Sequence, residues 1–517
     1  MAFSPCQPVM GSVRSLLAGP SRRPAHLLAN ISGSSLTASI RPRLFSTAPL
    51  RSQRIPFPRH SPRQQALFFT PSFQRTHGVS TFFTPSHQFS TATGSGARAG
   101  AAETIPPFPT GDASPPVVIP RSLPYWLFGC SALVFGIIVI GGLTRLTESG
   151  LSIVEWQPIT GILPPLTKED WDAEWEKYKV SPEGILTNSK IEMEEFKKIF
   201  FMEWAHRIAG RALGVLFVVP TIYYMSRYRL PRPLPTKLLV LGLGIGLQGV
   251  LGWYMVKSGL DEQIVTDKAV PRVSQYRLAA HLTAALALYI GMVQTAIGIR
   301  GDLRTANALK SGSAASRLAS ERFREILANG AVKRFKITSH IALSMVLLTA
   351  ISGAFVAGLD AGLVYNEFPT MGGRLMPPAD ELLDKRYAKR ADQTDVWWRN
   401  IFENPVTAQF DHRLFATATF TVLVSLPFLA RARSLRNVLP RATRNWANLT
   451  AAAAVTQVTL GITTLLYLVP IPLAAMHQAG SVVLLTCLMG LAGSLRRPGK
   501  AVEALRRGLV GINTKRR

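Results

Sequence analysis

Apolar residues gather along this chain into long blocks separated by polar, charge-bearing stretches. The blocks fall at 122–144, 208–226, 238–256, 278–298, 337–357, 414–430, 447–468 and 470–493. A hydrocarbon layer of about 30 Å takes roughly 20 apolar residues in helical form. The pattern therefore predicts an all-α membrane protein with eight transmembrane helices. The sixth block is short, and Pro470 and Pro472 open the eighth, so the ends of these two are the least defined. Almost no turn separates the last two blocks, which makes them an antiparallel hairpin.

The blocks repeat in order. After the first comes Glu148-Ser-Gly150-Leu151 and then Glu155-Trp156; after the fifth comes Asp360-Ala-Gly362-Leu363 and then Glu367-Phe368, about 212 residues on. His206-Arg207 opens the second block and His412-Arg413 the sixth. Gln248-x-x-Leu-Gly252 in the third matches Gln457-x-x-Leu-Gly461 in the seventh, and His281 and His477 lie early in the fourth and eighth. Four markers in one order predict two pseudo-repeated four-helix bundles: an N-terminal half, 122–300, and a C-terminal half, 337–493, with the segment 301–336 between them.

Composition and charge refine this picture. The 517 residues are 47% hydrophobic and 17% charged, with Lys+Arg 58 against Asp+Glu 30. A typical chain is about a quarter charged, and the low charge excludes a disordered protein. Cys6, Cys130 and Cys487 form no CxxC motif, which excludes a disulfide scaffold and a CxxC redox or metal site. Residues 1–100 read as a mitochondrial transit peptide, since Met1 to Arg98 holds eleven arginines, no lysine and no acid; a basic tail binding RNA or lipid is the alternative. Residues 101–121 form a Pro-rich linker. The loops 227–237, 299–336 and 431–446 with the tail 494–517 carry 26 Lys and Arg in about 90 positions. The opposite set, 145–205, 257–277 and 358–411, carries 17 in about 136, with 24 acids. The positive-inside rule then places the first set, the basic loop 301–336, the tail and both termini in the matrix. Topology accounts for the excess charge, and nucleic acid drops out as a partner.

Nine histidines include His26, His60, His77 and His87 in the leader; the other five touch predicted spans, where ionisable residues are costly and usually functional. A single one is more often a tie between helices. His206, His281, His412 and His477 all fall near the start of helices running inward, in the outer leaflet. His340 starts a helix running the other way and is given a structural role. Two pairs at matching depth, His206 with His281 and His412 with His477, suit two sites for axial haem-iron ligation between facing helices. Zinc or copper would need more ligands than two. Arg207 and Arg413 either neutralise haem propionates or snorkel to headgroups. Glu203 stands three residues before His206, whereas Gln409 stands three before His412. An acid beside one site only marks that site for chemistry and the other for electron carriage; the plainer alternative is a helix-start acid or one that orients the histidine. Aromatic residues at near-helical spacing over 166–200 predict one or two short helices, as a membrane anchor or a lid. Residues 311–321 read as a plain flexible stretch.

Assembled, these residues resemble the haem A synthases of the mitochondrial inner membrane. The resemblance covers 122–493 and rests on GGLTRLTESGLSIVEWQPITG, EWAHRIAGRALG, LAAHLTAAL, SGAFVAGLDAGLVYNEFPTMGG, DHRLFAT and AMHQAGSVVLL. It implies oxidation of a ring methyl of haem O to the formyl group of haem A, for cytochrome c oxidase assembly, through successive hydroxylation and loss of water. It further implies that His206 and His281 hold the substrate haem O, that His412 and His477 hold haem b, and that Glu203 serves the oxidation, with the haem sites toward the intermembrane space. Some bacterial members carry a cysteine pair in the first outer loop; residues 145–205 have none. The implied electron source is a ferredoxin with its reductase, docked on the basic matrix loops. Haem O synthase or oxidase assembly factors, membrane lipid and a second copy in a homo-oligomer complete the expected partners. Two other functions use the same histidines: a dihaem b-type membrane electron carrier and a non-enzymatic haem chaperone. A carrier across the membrane needs haems near both faces, and the four histidines cluster at one.

Overall fold

The computed structural model describes residues 119–503 and Arg506. The transit-peptide and linker readings, and most of the tail reading, lie outside the described residues. The chain begins with α1 (Leu123–Leu146), then two short helices of the first loop, α2 (Lys168–Lys179) and α3 (Pro182–Leu186), before α4 (Met193–Arg227). Next come α5 (Leu234–Lys257), the single turn α6 (Gln263–Thr266), α7 (Gln275–Lys310), α8 (Ala314–Ala328) and α9 (Gly330–Gly358). After the loop helices α10 (Ala379–Leu382) and α11 (Val396–Glu403), the chain ends with α12 (Pro405–Ala430), α13 (Arg441–Leu466) and α14 (Ile471–Ser494). Among the described residues, α1, α4, α5, α7, α9, α12, α13 and α14 are long and apolar enough to cross a membrane. All eight predicted blocks are found in them.

The helices overrun the apolar blocks. α4 starts fifteen residues before the block at 208, α12 starts at Pro405 instead of 414, and α7 runs on to Lys310. A hydropathy window sees only the part suited to hydrocarbon, whereas an amphipathic extension keeps its helix by packing one face. His206 and His412 therefore sit inside helices, not at their openings. Residues 311–321, expected to be flexible, are largely the start of α8. Phe323, Ile326 and Leu327 of α8 pack into the main core, and that apolar side holds a helix where a Ser- and Ala-rich composition suggested none.

In the first half α1 packs against α4 and α7, and α5 against the same two; in the second, α9 packs against α12 and α14, and α13 against those two. The halves meet where α7 touches α9 and α14, and where α1 touches α14. The core runs through this contact: Leu127, Val134, Met292, Leu423, Leu485 and Leu488 are buried in one cluster. At the acid-rich end, Arg145 at the close of α1 pairs with Asp360 beyond α9 at 2.6 Å, and Arg272 joins the same carboxylate at 3.3 Å. At the basic end, Arg496 pairs with Asp302 at 2.8 Å.

The two large loops at the acid-rich end are built differently. Tyr178, Phe196 and Phe200 form a small core of their own, with Trp171, Trp175 and Trp204 packed around it. Such aromatic contacts add about 0.5–1.5 kcal/mol each beyond area burial, so the 166–200 segment is a folded cap on the extension of α4. The loop between α9 and α12 is held by polar groups instead. Buried Asn400 donates to Asp384 O (3.0 Å), and buried Asn404 donates to Glu381 O (2.7 Å).

Candidate functional site

One cavity of about 2150 Å³ runs through both halves, lined by His206 and His281 on one side and His412 and His477 on the other. Small-molecule pockets commonly measure roughly 300–1,000 Å³, so this space suits two large ligands better than one. His206 and His281 reach it from α4 and α7 of the first half, and His412 and His477 from α12 and α14 of the second. His340 is exposed, with Nδ1 2.7 Å from Lys336 O on its own helix, and does not join either pair.

Each of the four rings lies against a glycine of the neighbouring helix. A methyl carbon built on Gly141 would stand 2.8 Å from His206 Cε1, on Gly252 3.3 Å from His281, on Gly353 3.1 Å from His412, and on Gly461 2.8 Å from His477. Backbone must approach closely for an imidazole to reach into the cavity from α4, α7, α12 or α14, and only glycine leaves that room. The Gln-x-x-Leu-Gly motif thereby acquires a meaning. Gly252 and Gly461 admit the rings, while Gln248 and Gln457, one turn away, donate to the carbonyls of His281 (3.1 Å) and His477 (2.9 Å). Gly141 and Gly353 went unnoticed in the sequence, because glycines are common in membrane helices.

The Nδ1 atoms separate the halves. His412 Nδ1 is 2.8 Å from Ser352 Oγ, and the Ser352 hydroxyl donates to Thr349 O at 2.8 Å. Where the hydroxyl keeps its bond to Thr349 O, Oγ accepts, Nδ1 carries the ring hydrogen and Nε2 keeps its lone pair. An imidazole in this tautomer is the form that ligates iron through Nε2. His477 Nδ1 lies 3.2 Å from the Gln457 amide nitrogen. In the first half, His206 Nδ1 and His281 Nδ1 are buried without a protein partner.

Glu203 is 3% exposed and takes four hydrogen bonds. Oε2 accepts from the Ser152 hydroxyl (2.7 Å) and Ile153 N (2.9 Å); Oε1 accepts from Arg207 Nη2 (2.7 Å) and Nε (3.1 Å). Gln409, at the matching place, uses its amide nitrogen on Ala361 O (2.9 Å) and Tyr365 O (3.2 Å). The two residues therefore tie down corresponding loops with opposite hydrogen-bond polarity. The arginines complete the ties. Arg207 donates to Ile153 O (2.9 Å) and Glu155 O (3.1 Å), and Arg413 to Tyr365 O (2.9 Å) and Thr370 O (3.0 Å). Both also line the cavity. The acid of the repeated motif, Glu148 or Asp360, takes left-handed backbone in both halves, with φ of 52° and 51°.

Four residues that sequence reasoning passed over belong to this site: Gly141, Gly353, Ser352 and Glu183. Glu183, on α3 of the cap, lines the cavity beside Glu203. Among twelve acids in residues 145–205, no pattern marked it as buried.

The donor set fits haem. A closed transition-metal site asks for about four ligands, and no group of three or more His, Cys, Asp or Glu side chains able to hold a metal ion occurs among the described residues. A porphyrin supplies four of its iron's ligands, and His206 with His281, or His412 with His477, could supply the rest.

The model of the family described as cytochrome oxidase assembly protein, COX15-CtaA, matches residues 124–489. The chain is 46% identical over 405 residues to the Heme A synthase-mitochondrial ferredoxin fusion protein of Schizosaccharomyces pombe, covering 78% of this chain and 64% of that protein. It is 46% identical over 379 residues to Heme A synthase COX15 of Saccharomyces cerevisiae, covering 73% of this chain and 76% of the relative. To Heme A synthase COX15 of Homo sapiens it is 42% identical over 375 residues, covering 72% and 83%.

Proposed function

The chain belongs to the COX15-CtaA family of cytochrome oxidase assembly proteins, and from that premise we infer that it is a haem A synthase whose two matched histidine pairs do different work. It is an oxidoreductase that converts haem O to haem A for oxidase assembly. Its eight apolar helices make it a multi-pass membrane protein, and we place it in the mitochondrial inner membrane with the acid-rich end and both haem sites toward the intermembrane space. The basic end and the termini then face the matrix. The halves are read as a duplicated four-helix unit.

The observation that carries the division of labour is the exchange of Glu203 for Gln409 between sites otherwise alike. His206 and His281 would hold haem O, the substrate, and His412 and His477 a resident haem b, which supplies one-electron exchange when bound. Glu203, fixed by Ser152, Ile153 and Arg207, holds a negative charge beside the substrate site without moving. A preorganised charge of this kind costs no reorganisation during reaction. Arg207 and Arg413 pin the loops that roof the two sites, and the face each shows to the cavity suits the propionates of a bound haem. The cap closes the substrate site from the aqueous side, where exclusion of water limits side reactions. Electrons come from a ferredoxin: Arg322, Arg324, Lys333 and Arg334, on and after α8, are exposed at the basic end, and a relative joins this chain's counterpart to a ferredoxin in one polypeptide. Complementary charge speeds such encounters.

The test is to extract and identify the haems of the purified protein by chromatography with mass detection, after supplying haem O and reductant. Haem b together with haem O, haem A or an alcohol intermediate is expected. Haem b alone with haem O supplied would replace the synthase by an electron carrier, and no haem at all would undo the four-histidine site.

A further inference from the structure

The cap brings a second carboxyl group to the N-terminal site, and its surroundings are the reverse of those around Glu203. Glu183 is 4% exposed, and its Oε2 is buried with no protein partner, while the same side chain lines the cavity together with Glu203 and His206. The position is set by covalent geometry. Ser181 caps α3 through Gly184 N at 3.2 Å, and a side chain on Gly184 would strike the Tyr178 carbonyl, so α3 can pack only where glycine follows the acid. Thr187 N and Asn188 N both donate to Glu183 O (3.0 and 2.9 Å), which fixes the backbone from which the carboxyl projects. Glu203 meets four donors; Glu183 Oε2 meets none. Burial with few donors favours the neutral acid, and donors to both oxygens favour the anion.

On the reading of this site as the haem O site, we propose that Glu183 is its proton-exchanging carboxyl, carrying a proton at the buried oxygen and passing it to and from water in the cavity, while Glu203 remains the fixed anion. The step is a simple ionisation, with the carboxyl O–H bond broken and the proton taken by water, and reversed on uptake. Oxidation of a methyl to a formyl group moves protons as well as electrons, and the fixed contacts of Glu203 leave it poorly placed to carry them. Burial raises the Glu183 acid to about 8, helped by the like charges of Glu203 on α4 and Glu148 after α1 and opposed by the Tyr178 hydroxyl on α2. Packed against α3, α6 brings Gln263, Ile264, Val265 and Thr266 and no charge. A carboxylate gripped by four donors and a carboxyl with a bare oxygen in one site form the kind of contrast that assigns acid and base roles elsewhere.

The experiment compares the full-length protein with Glu183→Gln by infrared spectroscopy across a pH range centred on about 8, and by haem O turnover over the same range. The expected result is a protonated-carboxyl band in the parent that fades as pH rises and is missing from the variant, with haem content retained. Turnover in the variant should be about 100-fold lower and lack the parent's decline above that pH. The same band in both proteins, or an unchanged pH profile in Glu183→Gln, would overturn the proposal. Should Glu183→Gln not fold, Tyr178→Phe removes the opposing hydroxyl and moves both band and decline to higher pH; midpoints that stay put count against it. A parent protein that makes no haem A would defeat the synthase reading, and the infrared band would still decide whether Glu183 holds the proton.

Discussion

His412 Nδ1 lies 2.8 Å from the Ser352 hydroxyl, whereas His206, in the matching place of the other half, has a buried Nδ1 with no side-chain partner. Ile140 stands before Gly141 where Ser352 stands before Gly353. The rings themselves sit against matching glycines, so the difference lies in the hydroxyl that His412 has beside Nδ1 and His206 lacks. A ligand held by outer contacts binds its metal more tightly. A resident cofactor gains from that grip, and a substrate that must arrive, react and leave does not. The loops repeat the contrast. The C-terminal loop is fastened by buried asparagines and its buried acid, Asp395, is paired with Arg399, while the N-terminal one is a cap with its own aromatic core and an acid whose Oε2 has no partner. On the proposed assignment, one half would retain its haem and the other would exchange it.

The largest effect on this comparison comes from removing a ligand of the retaining half. In His412→Ala or His477→Ala, haem b is expected to disappear from the extracted haems, with loss of stability and of all measurable haem A formation. A variant with its full haem b would break the assignment of the two halves outright.

Next in size is the exchange that separates charge from shape. Gln409 shows that an amide can tie down the loop at this position, so Glu203→Gln removes the charge while leaving a group of the same size. Haem content should be retained and haem A formation should fall by about 10²–10⁴-fold, with material stalling at the alcohol. Normal haem A formation would remove Glu203 from the chemistry. The converse change, Gln409→Glu, faces a carboxylate with the carbonyls of Ala361 and Tyr365. It should destabilise the C-terminal loop by about 1–3 kcal/mol and confer no second oxidation site, as a thermal melt and a product assay would report.

Smaller is the effect of the Nδ1 partner. Ser352→Ala should weaken haem b binding by about 10–100-fold, measured by haem transfer to an apo-acceptor. Ile140→Ser in the other half should slow the release of haem, bringing the two halves closer in behaviour. Equal release rates for Ser352→Ala and the parent would show that the difference in grip lies elsewhere.

Much of this architecture can be read from the sequence, because the membrane imposes one strong rule. Eight apolar blocks, the placing of His206, His281, His412 and His477 along one cavity, and the contrast of Glu203 with Gln409 all follow from spacing. What escapes is held by packing. The extension of α4 back to Met193 rests on Phe196 and Phe200 buried against the cap, outside any hydropathy window. The Ser352 contact joins residues 60 positions apart, and Glu183 looks like any other acid of an acidic loop until the fold buries it. The start of α8 reads as loop because residues 311–321 are rich in Ser and Ala, while the apolar residues that hold the helix, Phe323, Ile326 and Leu327, come after them.

The mildest test uses pH alone, and it tells the cap from its counterpart. Glu183 is raised from 4.5 to about 8 in the folded cap, so between those values the folded form holds a proton that the opened form releases. Opening then becomes easier as pH rises through that range and levels off above it. The stabilising contribution is complete below 4.5 and gone above about 8. In the C-terminal loop the sign is opposite: Asp384 is lowered, chiefly by its hydrogen bond from the Arg386 side chain, and that contribution is lost as pH falls below the ordinary carboxylate range. Hydrogen exchange corrected for its intrinsic pH dependence should therefore show residues 168–188 losing protection from about pH 5 to pH 8 while residues 380–404 hold theirs. Glu183→Gln should flatten the first trend and leave the second alone. Parallel trends in the two loops would mean that the buried acid does not govern the cap, and the distinction between an exchanging and a retaining half would rest on the histidines only.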